Sequence, residues 1–212
     1  MAIEALADPV VRRLMTIPGV DAVVGVSVVA AVGDFGRFAS AEKLVAYLGL
    51  HPKIRQSGNQ PASHGHITKS GRAQTRGMLV EAAWVASRAP GPLRAFFNRI
   101  KARRGPRVAV VATARKLAVL CWHLTASGED YAFARPSLVA FKQRKLALTA
   151  GAPRAHARRG PGYDYNDKQL RRHEREVIEV AERAYETLIA GWQPRRPNHT
   201  ATAAFRGRSS GS

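Results

Sequence analysis

The sequence predicts an all-α fold: a compact helical domain with a helix-hairpin-helix-like start, followed by a linker and a C-terminal amphipathic helix. Three observations predict it. Apolar residues recur at three- and four-residue intervals through most of the first 148 positions. Gly and Pro punctuate those periodic runs at Pro18-Gly19, Gly33, Pro90-Gly91-Pro92 and Gly105-Pro106. Hydrophobic residues make up 45% of the 212, enough to bury a core.

The elements follow in order. From about Ile3 to Met15, Ile3, Leu6, Val10, Val11 and Leu14 share one helical face. After the Pro18-Gly19 break, an apolar helix runs from about Asp21 to Val32, with Asp21 as its cap or first-turn residue, and Gly33-Asp34 ends it. Ser40 is a candidate N-cap for Ala41 to Leu48, which stops at Gly49. His51 to Ser70 keeps no period and holds Pro52, Gly58, Asn59, Pro61 and Gly65, so it reads as a long loop; such loops inside compact domains carry function or are disordered. A helix from about Arg72 to Ser87 turns Met78, Leu79, Ala82, Ala83 and Val85 inward. A basic helix, Leu93 to Arg103, does the same with Phe96, Phe97 and Ile100. The run VAVVATARKLAVLCWHL after Gly105-Pro106 is apolar enough for the central helix, and Ser137 to Leu148 closes the domain.

Composition shifts at Thr149. The predicted organisation is a domain over 1–148, a linker over 149–167, a charged amphipathic helix over 168–192 and a disordered basic tail over 193–212. In that helix Leu170, Val177, Ala181, Ala184, Leu188 and Trp192 form one stripe, suited to docking or self-association.

Charge narrows the function class. The chain carries 34 Lys and Arg against 15 Asp and Glu, a formal charge of +19. Between Lys43 and Gly128, Glu81 is the only acid among 15 bases. A segment so unbalanced repels itself unless a polyanion is at hand, so nucleic acid is the expected partner. A membrane-surface helix would need a continuous apolar face with interfacial aromatics, whereas these bases fall mostly in loops and helix ends. No apolar run reaches the roughly 20 residues that cross a bilayer. The Met1 end is acidic and helical, unlike a signal peptide, and the expected location is cytoplasmic. Cys121 stands alone in an apolar run, which excludes a disulfide framework and a thiolate metal site.

Two stretches could carry chemistry. In Ile17-Pro18-Gly19-Val20, a tight turn between two helices leaves amides free to meet a phosphate, so Pro18 and Gly19 are candidate nucleic-acid contacts. Modules of the helix-hairpin-helix type usually place a second glycine where this chain has Asp21, an acid that would repel phosphate; a plain helix-helix turn is the other reading. The second stretch is the long loop with the helix it feeds, HPKIRQSGNQPASHGHITKSGRAQTRGMLVEAAW.

Read from Ile17, the order is IPGV, GDFGRF, AYLGLHP, a QSG turn, GHITKSG, an Arg-bearing helix, LVEAAW and VAVVATARKLA. From about Val11 to Leu146 this closely resembles the C-terminal domain of the insertion-sequence transposases of the IS-one-ten and IS-one-sixteen group, which are bridge-RNA-guided DNA recombinases. The resemblance implies a serine in this domain acting as covalent nucleophile on DNA, with a separate RuvC-like domain supplying acidic ligands for Mg2+. The matching serine is Ser57; Ser63, Ser70 and Thr68 are rivals in the same loop. A serine attacking phosphorus needs an exposed, flexible backbone, and Gly58 permits close approach to the phosphate. Lys53, Arg55 and Lys69 flank the loop and could neutralise the scissile phosphate. Arg72 and Arg76, four apart on a helix, could reach one backbone, and His66 and Thr68 are further candidate contacts. For Arg88, Arg94 and Lys101 a solvated basic face is the simpler reading. His64 and His66 lack a third ligand for a metal.

Two residues depart from the family's usual pattern: Thr75 stands where a leucine is common, and Gly77 interrupts a helix at about 1 kcal/mol relative to alanine. The early acids Glu4, Asp8, Asp21, Asp34 and Glu42 show no metal-binding spacing. The expectation is therefore a transposase piece that binds DNA, needs the acidic domain from elsewhere, holds no cofactor of its own and is inactive alone. Its expected partners are DNA, a guide RNA and further copies of itself, and not a membrane. A non-catalytic helix-hairpin-helix-type protein binding DNA or RNA is the alternative.

Overall fold

The computed structural model describes residues 2–55, 63–154 and 167–191, with only the backbone of 54, 55, 63 and 64. Among them are nine helices and one two-stranded antiparallel hairpin: α1 (Ala2–Ala7), α2 (Pro9–Leu14), α3 (Ala22–Val32), α4 (Ala41–Tyr47), β1 (Pro52–Arg55), β2 (Ser63–Ile67), α5 (Ala73–Ala86), α6 (Pro92–Arg104), α7 (Pro106–Ser127), α8 (Pro136–Thr149) and α9 (Lys168–Gly191). The all-α reading holds for the body. The single helix expected from Ile3 to Met15 is two, because the Asp8 carboxylate accepts from the amides of Val10 and Val11 (2.7 and 3.3 Å) and Pro9 restarts the helix without an N–H.

Helix α7 is the axis of the body. One face buries Ala109, Val110, Thr113, Ala114, Leu117, Ala118, Cys121 and Leu124, with the α4, α5 and α6 helices and part of α2 packed around it. The small residues on this face meet Leu79, Ala82, Ala83 and Ala86 of α5, which lets the two helices approach closely. Among the described helices α7 alone has the length and apolarity to cross a membrane, contrary to the expectation that no run is long enough. Much of that apolarity faces the core, where burial pushes the Cys121 thiol up to about 12. Two inward assignments need correction. Val85 lies on the exposed side of α5 at 54% exposure, and Ala86 takes its place in the core. Phe96 is only half-buried, with Arg99 over its ring. In α9 the apolar stripe is not the anchored face: Leu170, Val177 and Leu188 are exposed, and Trp192 lies outside the described residues.

Helix α9 docks instead through two buried carboxylates. Glu174 accepts from the amide and the hydroxyl of Ser137, at the start of α8. Glu182 accepts from the Gly91 amide (3.1 Å) and grips Arg94 through both oxygens (2.7 and 2.6 Å). Neither α6 nor α8 has a side-chain cap of its own, so α9 supplies anionic caps to both N-termini. Arg94 is thus an ion-paired anchor rather than part of a solvated face.

The departures also find local accounts. Thr75 is buried, and its hydroxyl meets the Ser27 hydroxyl at 3.3 Å, so α3 satisfies the polar group. Gly77 is exposed in α5 with open space where a Cβ would stand. The turn between α2 and α3 is held from the far side of the domain. The Lys142 ammonium on α8 donates to the carbonyls of Met15, Ile17 and Val20 (2.7, 3.0 and 2.8 Å). Burial pushes that lysine down to about 8, with Asp21 pulling it back up.

Two stability outcomes follow. Lys142→Met keeps the stem but strips three carbonyls of their donor, at roughly 1–3 kcal/mol, read from the denaturation midpoint. Because folding lowers the lysine's proton affinity, the unfolded chain binds more protons between pH 8 and 10.5. This group therefore opposes folding below pH 8 and the opposition fades as pH rises; the Lys142→Met profile should lack that rising component, and an unchanged slope would refute the account. Gly77→Ala should raise stability by about 1 kcal/mol, since α5 gains helix propensity and meets no obstruction.

Candidate nucleic-acid interface

The region expected to be a structureless loop is built on a β-hairpin. β1 and β2 pair antiparallel, with Pro52 opposite Ile67, Ile54 opposite His64 and Arg55 opposite Ser63. Between the first two pairs, Gly65 and His66 together oppose Lys53, which makes a bulge. The alternation was invisible because four- and five-residue strands studded with Gly, His, Lys and Pro carry no clean period. Ser57 and Gly58 fall in 56–62, between the strands in sequence and outside the described residues.

The foot of the hairpin is fastened to α4 and α5 by close backbone approach. Gly49 (φ 71°) ends the α4 segment, and a Cβ there would collide with the Ser70 carbonyl oxygen. Gly71 (φ 106°) lies against the Tyr47 carbonyl oxygen in the same way. Both positions combine left-side φ with no room for a side chain, a demand that glycine meets. The Thr68 amide donates to His51 (2.8 Å) and the Lys69 amide to Gly49 (3.1 Å), closing the root. Lys69 is itself left-handed (φ 57°), the one such non-glycine among the described residues.

The predicted contacts separate into two groups. Lys53, His66, Lys69 and Arg72 are exposed on or beside the hairpin, and Thr68 is half-buried at its root. Arg55 ends β1, its side chain outside the described ones. Arg76 turns inward instead, donating to the Leu48 carbonyl (3.3 Å) at the end of α4. Pro18 and Gly19 are not with them. Pro18 is buried, and a Cβ on Gly19 would strike the Ala82 carbonyl of α5. With Lys142 on the turn's carbonyls and Asp21 accepting from the Val24 amide (2.9 Å), packing accounts for this turn fully.

Two residues escaped the sequence reading. Tyr47, the last residue of α4, donates through its hydroxyl to the Ala31 carbonyl (2.9 Å) and accepts from Arg72 Nε (2.8 Å). The Arg37 guanidinium lies 4.7 Å from the Tyr47 ring centroid and 4.6 Å from that of Phe38; that of Arg72 lies 5.7 Å from Tyr47. Arg72, then Arg37, hold the Tyr47 hydroxyl below the usual phenol range. The intervals of ten and 25 residues between them show no local pattern.

Residues 11–98, from α2 into α6, match the family described as Transposase IS116/IS110/IS902. Over this segment the chain is similar to that family. The matched segment contains both strands of the hairpin, its glycine-fastened root and the Arg37–Tyr47–Arg72 group, and stops short of α7, α8 and α9. Among its relatives, the chain is 33% identical over 131 residues to the transposase for insertion sequence element IS1111A of Coxiella burnetii, covering 60% of this chain and 36% of that one. It is 44% identical over 75 residues to the Sinorhizobium fredii protein y4qE, named as a transposase, covering 35% and 19%. With the transposase for IS1328 of Yersinia enterocolitica the figures are 30% over 125 residues, 57% and 37%. The chain thus spans at most 37% of the length of these relatives.

The root geometry can be tested in the matched segment directly. Gly71→Ala forces a Cβ against the Tyr47 carbonyl and should cost roughly 1–3 kcal/mol. Amide exchange should show Thr68 and Lys69 losing protection while α7 keeps its own; unchanged protection at those two amides would refute the fastening.

Proposed function

We propose that this chain binds DNA through the hairpin and its basic flank and takes part in insertion-sequence transposition with Ser57 as the covalent nucleophile. The observation that carries the reading is the hairpin root within the matched segment: it leaves Lys53, Lys69 and Arg72 exposed on or beside the strands that flank residues 56–62 in sequence. A left-handed lysine at that root is a strained feature of the kind that accumulates where function needs it.

In the proposed step, the Ser57 hydroxyl gives up its proton as Oγ attacks phosphorus, the P–O bond to the departing sugar oxygen breaks, and that oxygen takes up a proton, so none is gained or lost overall. The resulting phosphodiester to serine conserves the bond, so a sugar hydroxyl of another strand can displace Ser57 without ATP. The nearby cations offset charge growing on the non-bridging oxygens. Among the described residues no group of three or more His, Cys, Asp or Glu could hold a metal ion. On the family resemblance, Mg2+ is assigned to an acidic RuvC-like domain contributed from outside these residues, and target choice to a guide RNA, within an oligomer.

The test uses the full chain with supercoiled donor DNA, guide RNA and a separately supplied acidic domain. A covalent protein–DNA adduct should form and vanish in Ser57→Ala while persisting in Ser63→Ala and Ser70→Ala. An adduct that survives Ser57→Ala overturns the nucleophile. Binding without any adduct favours a non-catalytic DNA- or RNA-binding module. Affinity should fall steeply between 50 and 200 mM salt, by orders of magnitude if several phosphates are neutralised; a flat response overturns the DNA reading.

A further inference from the structure

We propose that Arg37, Tyr47 and Arg72 form a binding site for a single phosphodiester of a nucleic-acid backbone, next to the hairpin root. The inference rests on the nucleic-acid reading above and adds a site that the motifs did not disclose. Two guanidiniums share one tyrosine ring, which costs repulsion unless an anion joins them. Neither is ion-paired among the described residues. The nearest carboxylates in sequence are occupied elsewhere: Asp34 accepts from the Gly36 amide (2.8 Å), and Glu42 is held by its own backbone amide and the Ser40 hydroxyl.

The arrangement is oriented as well as charged. Arg72 spends its Nε on the Tyr47 hydroxyl, which is itself fixed by donating to Ala31, so its two outer nitrogens stay available. The Arg37 guanidinium lies over both the Phe38 and Tyr47 rings, whose centroids are 5.4 Å apart and whose planes are tilted by 55°. Both guanidiniums are therefore held in place by rings and one hydrogen bond instead of by an acid, while remaining exposed. A tetrahedral phosphate with two free oxygens accepts from two such forks. Tyr47 is a positioning residue here, and its carbonyl oxygen is the one that Gly71 lies against at the foot of the hairpin.

The experiment measures anisotropy of the full chain with a labelled DNA duplex and, separately, a labelled single-stranded RNA over a salt series. Arg37→Gln and Arg72→Gln should each weaken binding by about tenfold at low salt and flatten the log–log salt slope by about 1. The double variant should lose clearly less than the product of the two, because both cations serve one phosphate. Thermal midpoints should hold within a degree or two, and Tyr47→Phe should reproduce part of the Arg72→Gln loss. The DNA and RNA arms tell which backbone supplies the phosphate. Unchanged affinity and slope in Arg37→Gln, with the wild type binding normally, overturn this site and leave the nucleic-acid reading intact. Strictly multiplicative losses overturn the shared phosphate. A wild type that binds neither probe overturns both.

Discussion

The hairpin stands where it does because the backbone of residues 69–71 lies directly on the end of α4. Ser70 rests on Gly49 and Gly71 on Tyr47, with the carbonyl oxygens themselves as the contact surfaces. Side-chain packing could tolerate a shift of an ångström by changing rotamers; backbone on backbone cannot, since carbonyl and amide positions are fixed by the helices that carry them. Arg76 reinforces the joint from α5 by taking the Leu48 carbonyl. Basic residues from three stretches of chain, at 37, 53 and 69–72, thereby come to one end of a helical body whose own core lies around α7.

A second regularity concerns what the few acids do. Asp8 and Asp21 cap helices locally, Glu174 and Glu182 cap helices that are far away in sequence, and Glu182 holds Arg94 as well. These carboxylates serve backbone amides at helix N-termini, where the dipole makes an anion most useful. Scattering acids among the bases from Lys43 to Gly128 would have neutralised the surface that a polyanion needs. The chain instead places these four anions at helix N-termini and leaves Lys43 to Gly128 with Glu81 as its one acid. Helix α9 lies beyond that segment, yet it ties α6 and α8 together through those carboxylates while presenting Leu170, Val177 and Leu188 outward.

The helical body was legible because its elements are long, periodic and punctuated. The limits of α5, α6 and α8 fall within a residue of those expected, and α7 extends two residues before and three past its apolar run. Legibility failed where the deciding interaction was distant. Asp8 and Pro9 split a periodic run by a local cap, which the apolar pattern alone overrides. The strands β1 and β2 are too short and too polar to show alternation, and their pairing depends on a root that joins residues 47–51 to 67–71. In α9 the apolar stripe was read correctly as a stripe, but the helix is anchored by Glu174 and Glu182, whose partners lie 37 and about 90 residues away. Charge is usually solvated on a helix, so nothing in the sequence marks these two as buried. The strands themselves leave no trace in the sequence, whereas the charge and glycine usage around them remain visible because these survive where periodicity does not.

The turn at Pro18-Gly19 shows why a motif needs its surroundings. Its sequence suits phosphate binding, and its local geometry is a tight link between two helices. Yet Gly19 is pressed on α5, Asp21 already serves the α3 amide, and Lys142 binds three carbonyls of the same turn. The Val20 amide, the Asp21 carboxylate and three carbonyls of the turn have internal partners, and the lysine that might have met a phosphate points inward at carbonyl oxygens. At Arg37 and Arg72 the balance is reversed: cations are held by rings and a hydroxyl, with no acid to satisfy them. Unspent hydrogen-bonding capacity on an ordered support is what separates a binding surface from a joint. By that criterion the hairpin root is where we propose the interface, and the helix-hairpin-helix-like turn packs into the scaffold against α5.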